Sequence, residues 1–190
     1  MEFYSPDKGH IYVDGAELQN FEVQEIRKAV VYVSQEDFLF TASVRENLKM
    51  GNEEISDEEM IEISRKMGVH QFVSKMEREY DSVLEERGKN LSKGQRQKLS
   101  LTRAILRHPK ILILDEATSN MDSISEREIL NYIKGIRDIT LILISHRINV
   151  IADSDCIYVL QKGNIVARGT DEQLKEQCEL YRQLYGEEEK

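Results

Sequence analysis

The chain has 190 residues, with 26 Lys plus Arg against 35 Asp plus Glu and a net charge of −9 at pH 7. That balance excludes a general nucleic-acid binder, because phosphate binding needs a basic face. A hydrophobic fraction of 40% beside 32% charge describes a globular chain with enough aliphatic residues for a core, not a disordered one. The longest aliphatic runs, 111–114 and 141–144, fall far short of the roughly 18 apolar residues that cross a bilayer. Residues 1–7 carry neither the basic start nor the apolar run of a secretory signal. Cys156 and Cys178 have no metal-ligand spacing and read as reduced, intracellular thiols.

In chain order, residues 9–15 alternate apolar and polar side chains into Asp14-Gly15, which is a hairpin signal. Val30-Val31-Tyr32-Val33 predicts a short strand. Between 41 and 109, Val44, Leu48, Met60, Ile61, Ile63 and Met67 recur at three- and four-residue spacing among charges. This predicts a helical block inserted between strands. Beyond Pro109, a strand at 111–114, a helix at 123–137, a strand at 140–144 and a helix from near Asn149 imply parallel sheet with right-handed crossovers. A second hairpin is predicted at 156–160 and 164–168, a charged terminal helix at 171–185, and a frayed tail at 186–190.

Two segments carry chemistry. Ile111-Leu112-Ile113-Leu114-Asp115-Glu116 is an aliphatic strand ending in two acids, and such a strand is expected to be buried on both faces of a parallel sheet. The acids then emerge at its C-terminal edge, where open α/β sheets place ligands. The first acid suits Mg²⁺ and the second suits a water attacking a γ-phosphate. An ordinary buried strand capped by an acidic turn has the same pattern. Twenty residues earlier, Leu91-Ser92-Lys93-Gly94-Gln95 opens a helix that Ser92 can cap, with Gly94 allowing close approach of a phosphate to the backbone. Alone, it reads as a plain capped amphipathic helix with Leu99, Ile105 and Leu106 as its buried stripe.

Together these segments resemble the ATP-binding cassette (ABC) proteins. Residues 91–95 are similar to the family's LSGGQ signature, and 111–116 to its Walker B strand. Ala117-Thr118-Ser119-Asn120-Met121-Asp122 is similar to the D-loop, Ser34-Gln35-Glu36 to the Q-loop, and Ser145-His146-Arg147 to the switch histidine. The five motifs stand in the family's order. The implied fold is a P-loop NTPase-like α/β parallel sheet from 1–40 and 109–185, with an inserted α-helical signature subdomain at 41–108.

The resemblance implies site roles as well. Asp115 is the Mg²⁺-associated acid and Glu116 the catalytic base. Gln35 reaches the metal or the attacking water, and His146 shares the sheet edge with Glu116 and contacts the γ-phosphate. Leu91, Ser92, Lys93, Gly94 and Gln95 face ATP across a head-to-tail dimer with a second nucleotide-binding domain, where Asp122 also makes contact. Read singly, Gln35 is also a polar strand end, His146 a structural histidine, and Asp122 a helix cap before 124–132.

Phe38, Leu39 and Phe40 after the Q-loop, and Glu85-Glu86-Arg87-Gly88 before the signature, are similar to exporter-type cassettes, with Glu85 and Lys93 standing where the family has glycine. The three apolar residues suit a docking helix from a transmembrane domain, or serve as core. Such a domain sits on the cytoplasmic side of the cell membrane, held there by transmembrane domains.

No Gly-x-x-x-x-Gly-Lys-Ser/Thr occurs in these 190 residues. The stretch Phe3 to Gly15 resembles the segment immediately after the P-loop helix in the family, so the resemblance implies a cassette truncated at its N-terminus, with Met1 near the end of that helix. These residues alone are then expected not to hydrolyse ATP. A non-catalytic ABC fragment acting as an interaction or regulatory module is the alternative reading. A chromosome-maintenance or repair ATPase is disfavoured by the acidic charge and by the absence of a long coiled-coil insertion between Gln35 and Leu91.

Overall fold

The computed structural model describes residues 6–35 and 38–188, so Phe3, Tyr4, Ser5, Glu36, Asp37 and the last two residues of the expected tail lie outside the described residues. The chain forms two compact units, Met1–Ile142 and Leu143–Lys190.

In the first unit, β1 (Tyr12–Val13) and β2 (Ala16–Glu17) pair antiparallel, with Val13 opposite Ala16. The connecting Asp14 and Gly15 have φ of 49° and 79°. A two-residue hairpin turn of this hand requires positive φ at both positions, which is why Asp-Gly stands there. Next comes α1 (Val23–Ala29), which the sequence pattern did not signal: Glu22 makes no side-chain cap and Ile26 is its one buried residue. The chain then enters β3 (Val30–Val33), which pairs in parallel with β4 (Ile111–Asp115), Val30 beside Ile111 and Val33 beside Leu114.

Between these strands lie α2 (Val44–Lys49), α3 (Asp57–Lys66), α4 (His70–Val73) and α5 (Lys93–Leu106), within the span expected to be helical. Hydroxyl caps fix their starts: Ser43 forms a capping box with Glu46, Ser56 accepts from Glu59 N–H, and Ser92 forms a box with Gln95. From Leu99 to Leu106, only Arg103 of α5 escapes burial, as expected of a helix packed on several sides, here by α2, α3 and β3. After β4 come α6 (Ser123–Lys134) and β5 (Thr140–Ile144). The sheet order is β3-β4-β5, with Thr140 N–H donating to Lys110 O at 2.8 Å.

The second unit contains α7 (Ile148–Ile151), the antiparallel pair β6 (Ile157–Gln161) and β7 (Asn164–Gly169), α8 (Asp171–Gln177) and α9 (Glu179–Glu188). Its core is Ile148, Ile157, Val159, Leu174, Cys178 and Tyr181. The sequence predicts one continuous helix over 171–185, and two are found. Cys178 takes φ −120° and ψ 108°, and Tyr181 O–H donates to Asp171 Oδ1 at 2.9 Å. In a straight helix, ten residues would separate these positions by about 15 Å, so the bond requires the break. Helix α9 also continues through Glu188, three residues into the stretch read as a tail. No helix among the described residues is long and apolar enough to cross a membrane.

The segment between β3 and α2 hangs on Asn47, whose side chain is 1% exposed. Its Oδ1 accepts from Phe40 N–H at 2.9 Å, and its Nδ2 donates to Phe40 O and Ser43 O at 3.0 Å each. Truncation would strand several buried groups, and each unsatisfied one costs about 1–3 kcal/mol. Asn47→Ala is therefore expected to lower unfolding free energy by about 2–3 kcal/mol, measured by urea titration.

Candidate functional site

Strand β4 buries one face, with Leu112 at 0% and Leu114 at 2% exposed, while Ile111, Ile113 and Asp115 are half-buried on the other. The expectation that both faces are buried is corrected on this point: burial alternates with the period of the strand. The half-open face is the one that carries Asp115.

The parallel register sets Tyr32 beside Ile113. From there its hydroxyl reaches two residues further and donates to Asp115 Oδ2 at 2.8 Å. That hydrogen bond, then burial and the carboxylate's charge, raise the Tyr32 pKa above the ordinary phenol value. Sequence reasoning missed Tyr32; its signal was that period-two alternation puts it on the polar-ended face of the strand pair.

Glu116 comes next, in the left-handed region at φ 49°, a conformation that costs a non-glycine residue energy and turns the chain sharply off the strand. Two short turns complete the loop: Ser119 N–H donates to Glu116 O at 3.2 Å, and Met121 N–H to Thr118 O at 3.1 Å. The loop ends at Asp122, which caps α6 by accepting Ser125 N–H at 2.9 Å. The Ser125 backbone and hydroxyl, with a further contribution from the charge of Lys98, hold the Asp122 pKa below the usual carboxylate range.

At the start of α5, Gln95 N–H donates to Ser92 Oγ at 3.2 Å and Ser92 N–H donates to Gln95 Oε1 at 2.9 Å. The Gln95 amide oxygen is thus engaged locally, and Leu91 is buried beneath. A Cβ at Gly94 would lie 3.0 Å from Asn120 O. The close approach that glycine permits here is therefore to the backbone of the loop after Glu116, a different neighbour from the phosphate anticipated from sequence.

The start of α5 and the end of that loop enclose a cleft of about 520 Å³, lined by Ser92, Lys93, Gly94 and Gln95 on one side and by Asn120, Met121 and Asp122 on the other. Lys75, Lys93 and Lys98 outnumber Asp122 on its walls, a cationic excess in an acidic chain. With the positive end of a fourteen-residue helix, this lining favours an anion.

Residues 92–95 and Asp122 thus line one cleft while Leu91 is buried, with Asp115 and Glu116 at the far end of the same loop. Gln35 is exposed at the bend beyond β3. His146 lies in the second unit, exposed, between Ser145 and Arg147, where Arg147 N–H donates to Ser145 Oγ at 2.9 Å.

The apolar trio splits: Leu39 is core, whereas Phe38 and Phe40 are exposed with ring centroids 4.7 Å apart, edge to face. A Cβ at Gly88 would lie 2.9 Å from Leu39 Cδ1, so that glycine is fixed by packing as well as by its φ of 65°. Glu85 stands at φ −67° and ψ 169°, an extended conformation open to any residue, so glycine is not needed there.

No group of three or more His, Cys, Asp or Glu placed to hold a metal occurs among the described residues. Asp115 offers hard oxygen donors, which suits Mg²⁺, an ion that commonly takes one or two protein carboxylates and completes its shell with water and phosphate.

The sequence pattern of the family described as "ABC transporter" matches residues 1–119. The chain belongs to the ABC transporter family. Among its relatives, the heterocyst differentiation ATP-binding protein HepA of Nostoc sp. is 43% identical over 176 residues, 92% of this chain and 29% of that protein. An export ATP-binding/permease protein of Rickettsia conorii is 38% identical over 189 residues, 99% of this chain and 33% of that protein. A bacterial Atm1-family ABC exporter solved with ATP bound superposes with a TM-score of 0.93 at 30% identity, covering 98% of this chain and 33% of that one. The chain therefore spans a third or less of the length of these relatives. The shared fold is the mixed α/β, parallel-sheet fold of the ABC nucleotide-binding domain.

The lowered Asp122 pKa has a pH consequence. A depressed folded value means that its contribution to stability is fully present above the ordinary aspartate value, about 3.9, and is lost as pH falls through the lower folded value. Asp122→Asn keeps an acceptor but not the charge. Melting temperatures followed from pH 7 to pH 2 should show wild type losing its advantage over this variant in that acid window, with a constant gap above it.

Proposed function

We propose that these residues are part of the nucleotide-binding domain of an exporter-type ABC transporter, in which ATP binding and hydrolysis power substrate transport. The observation that carries this reading is the cleft at the start of α5, whose far wall is the loop that also bears Glu116. The Rickettsia relative and the solved Atm1-family neighbour are both named for export.

The cationic cleft and the free N–H groups of α5 receive the γ-phosphate of ATP held by a second nucleotide-binding domain, in a head-to-tail dimer in which Asp122 lies at the contact. Asp115, oriented by Tyr32, would hold Mg²⁺, with Gln35 assisting. When bound, Mg²⁺ neutralises charge on the β- and γ-phosphates. Glu116 accepts the proton of the attacking water, and His146 contacts the γ-phosphate. Residues 41–108 form the signature subdomain within an α/β core, and exposed Phe38 and Phe40 suit a transmembrane domain's docking helix, on the cytoplasmic side of the membrane.

Within these 190 residues no P-loop sequence supplies a nest of N–H groups or a lysine for the β- and γ-phosphates. Calorimetry of the 190-residue chain with Mg²⁺ and ATP is therefore expected to detect no binding at micromolar concentration; micromolar affinity would overturn this point. In a transporter containing the segment, Glu116→Gln should lower ATP turnover by about 100-fold or more while ATP binding persists. Unchanged turnover would remove Glu116 from the base role.

A further inference from the structure

Gln97 is polar and 0% exposed, in a helix whose buried neighbours are mostly aliphatic. A buried amide is tolerated only where its hydrogen bonds are met. Its Oε1 accepts the backbone N–H of Asn120 at 3.0 Å, and its Nε2 lies 3.5 Å from Ser119 Oγ as donor. Both partners belong to the loop after Glu116. On the same helix face, one turn earlier, Gly94 abuts Asn120 O, and next to Gln97, Lys98 Nζ donates to Ser125 Oγ at 2.9 Å. Positions 94, 97 and 98 have the i, i+3, i+4 spacing that aligns side chains on one side of a helix. Asn120 is thus held through its N–H while its carbonyl packs close to Gly94, and the loop cannot shift away from α5 without breaking the amide contact.

We infer that Gln97 is a positioning residue: its buried amide locks residues 119 and 120 onto α5, so that the loop bearing Glu116 and the helix start bearing Ser92, Lys93 and Gly94 move as one body. On the proposed function above, on which the catalytic half of this inference rests, Glu116 serves a site on its own domain while the start of α5 faces the ATP of another. Gln97 then links the two sites through one chain, and the closing of one reorients the base of the other.

Two variants separate the parts of the inference. Gln97→Leu keeps the volume and removes both contacts. Gln97→Glu keeps an acceptor for Asn120 N–H and, when protonated in its buried setting, a donor toward Ser119. In the 190-residue chain, hydrogen exchange at the Asn120 amide, resolved by NMR, should accelerate by about tenfold or more in Gln97→Leu and stay near wild type in Gln97→Glu, with amides from Leu99 to Leu106 unchanged in both. An unchanged Asn120 in Gln97→Leu, or equal acceleration in both variants, overturns the lock. Where Gln97→Leu loses protection along all of α5, the comparison of Gln97→Glu with wild type decides alone: protection retained supports the lock, protection lost overturns it.

In a transporter containing the segment, Gln97→Leu should reduce kcat for ATP by about tenfold with KM little changed, and Gln97→Glu should restore it. Normal kcat in Gln97→Leu with a fast-exchanging Asn120 overturns the link to catalysis. If the wild-type transporter hydrolyses no ATP, the function proposed above fails while the exchange result still judges the lock.

Discussion

The parallel pairing of β3 with β4 is the constraint on which the site depends. Four consecutive pairs from Val30–Ile111 to Val33–Leu114 fix which residues leave the sheet together at its C-terminal end. A slip of one residue would turn Asp115 to the buried face, where an unpaired carboxylate is costly, and carry Leu112 and Leu114 to the open one. The register also puts Tyr32 within reach of Asp115, so an exposed phenol and a half-buried acid, 83 positions apart in sequence, meet at 2.8 Å. The strained Glu116, the two short turns beyond it and the Asp122 cap all continue from that fixed strand end.

The second organising device is the economy of helix starts. Ser43, Ser92 and Thr170 each form a reciprocal box with the residue three positions on, and Ser56 and Asp122 accept from the third N–H. In α5 the box satisfies Gln95 N–H, and Lys93 and Gly94, whose N–H groups have no intrahelical acceptor, line the cleft. The local capping that stabilises the helix and the anion preference of its end are therefore consequences of one arrangement.

Much of this was legible in sequence because it is local. The Asp14-Gly15 turn, the β6 and β7 hairpin about Lys162-Gly163, the helical block before Pro109 and the aliphatic run of β4 are all set by neighbours a few residues apart. Residues 92–95 and 120–122 lie in segments that resemble family motifs in sequence, and in the structure they line one cleft. The features that the sequence concealed depend on distant partners. Helix α1 has no cap to announce it. The break at Cys178 is tied to a tyrosine that turns back to Asp171, and period alone could not reveal it. Gln97 sits in a helix read for its apolar stripe, and its polar burial is explained only by the loop it binds.

Gly94 changes what a familiar kind of experiment measures. Its missing side chain leaves room for the carbonyl of Asn120, which lies in the loop leading from Glu116. Adding even a methyl group would press on backbone, which yields only by moving the loop. On the proposed function, a loss of activity after substitution at this glycine would therefore report displacement of Glu116, several residues away, as readily as a weakened grip on phosphate, and the two origins would be inseparable in a rate alone.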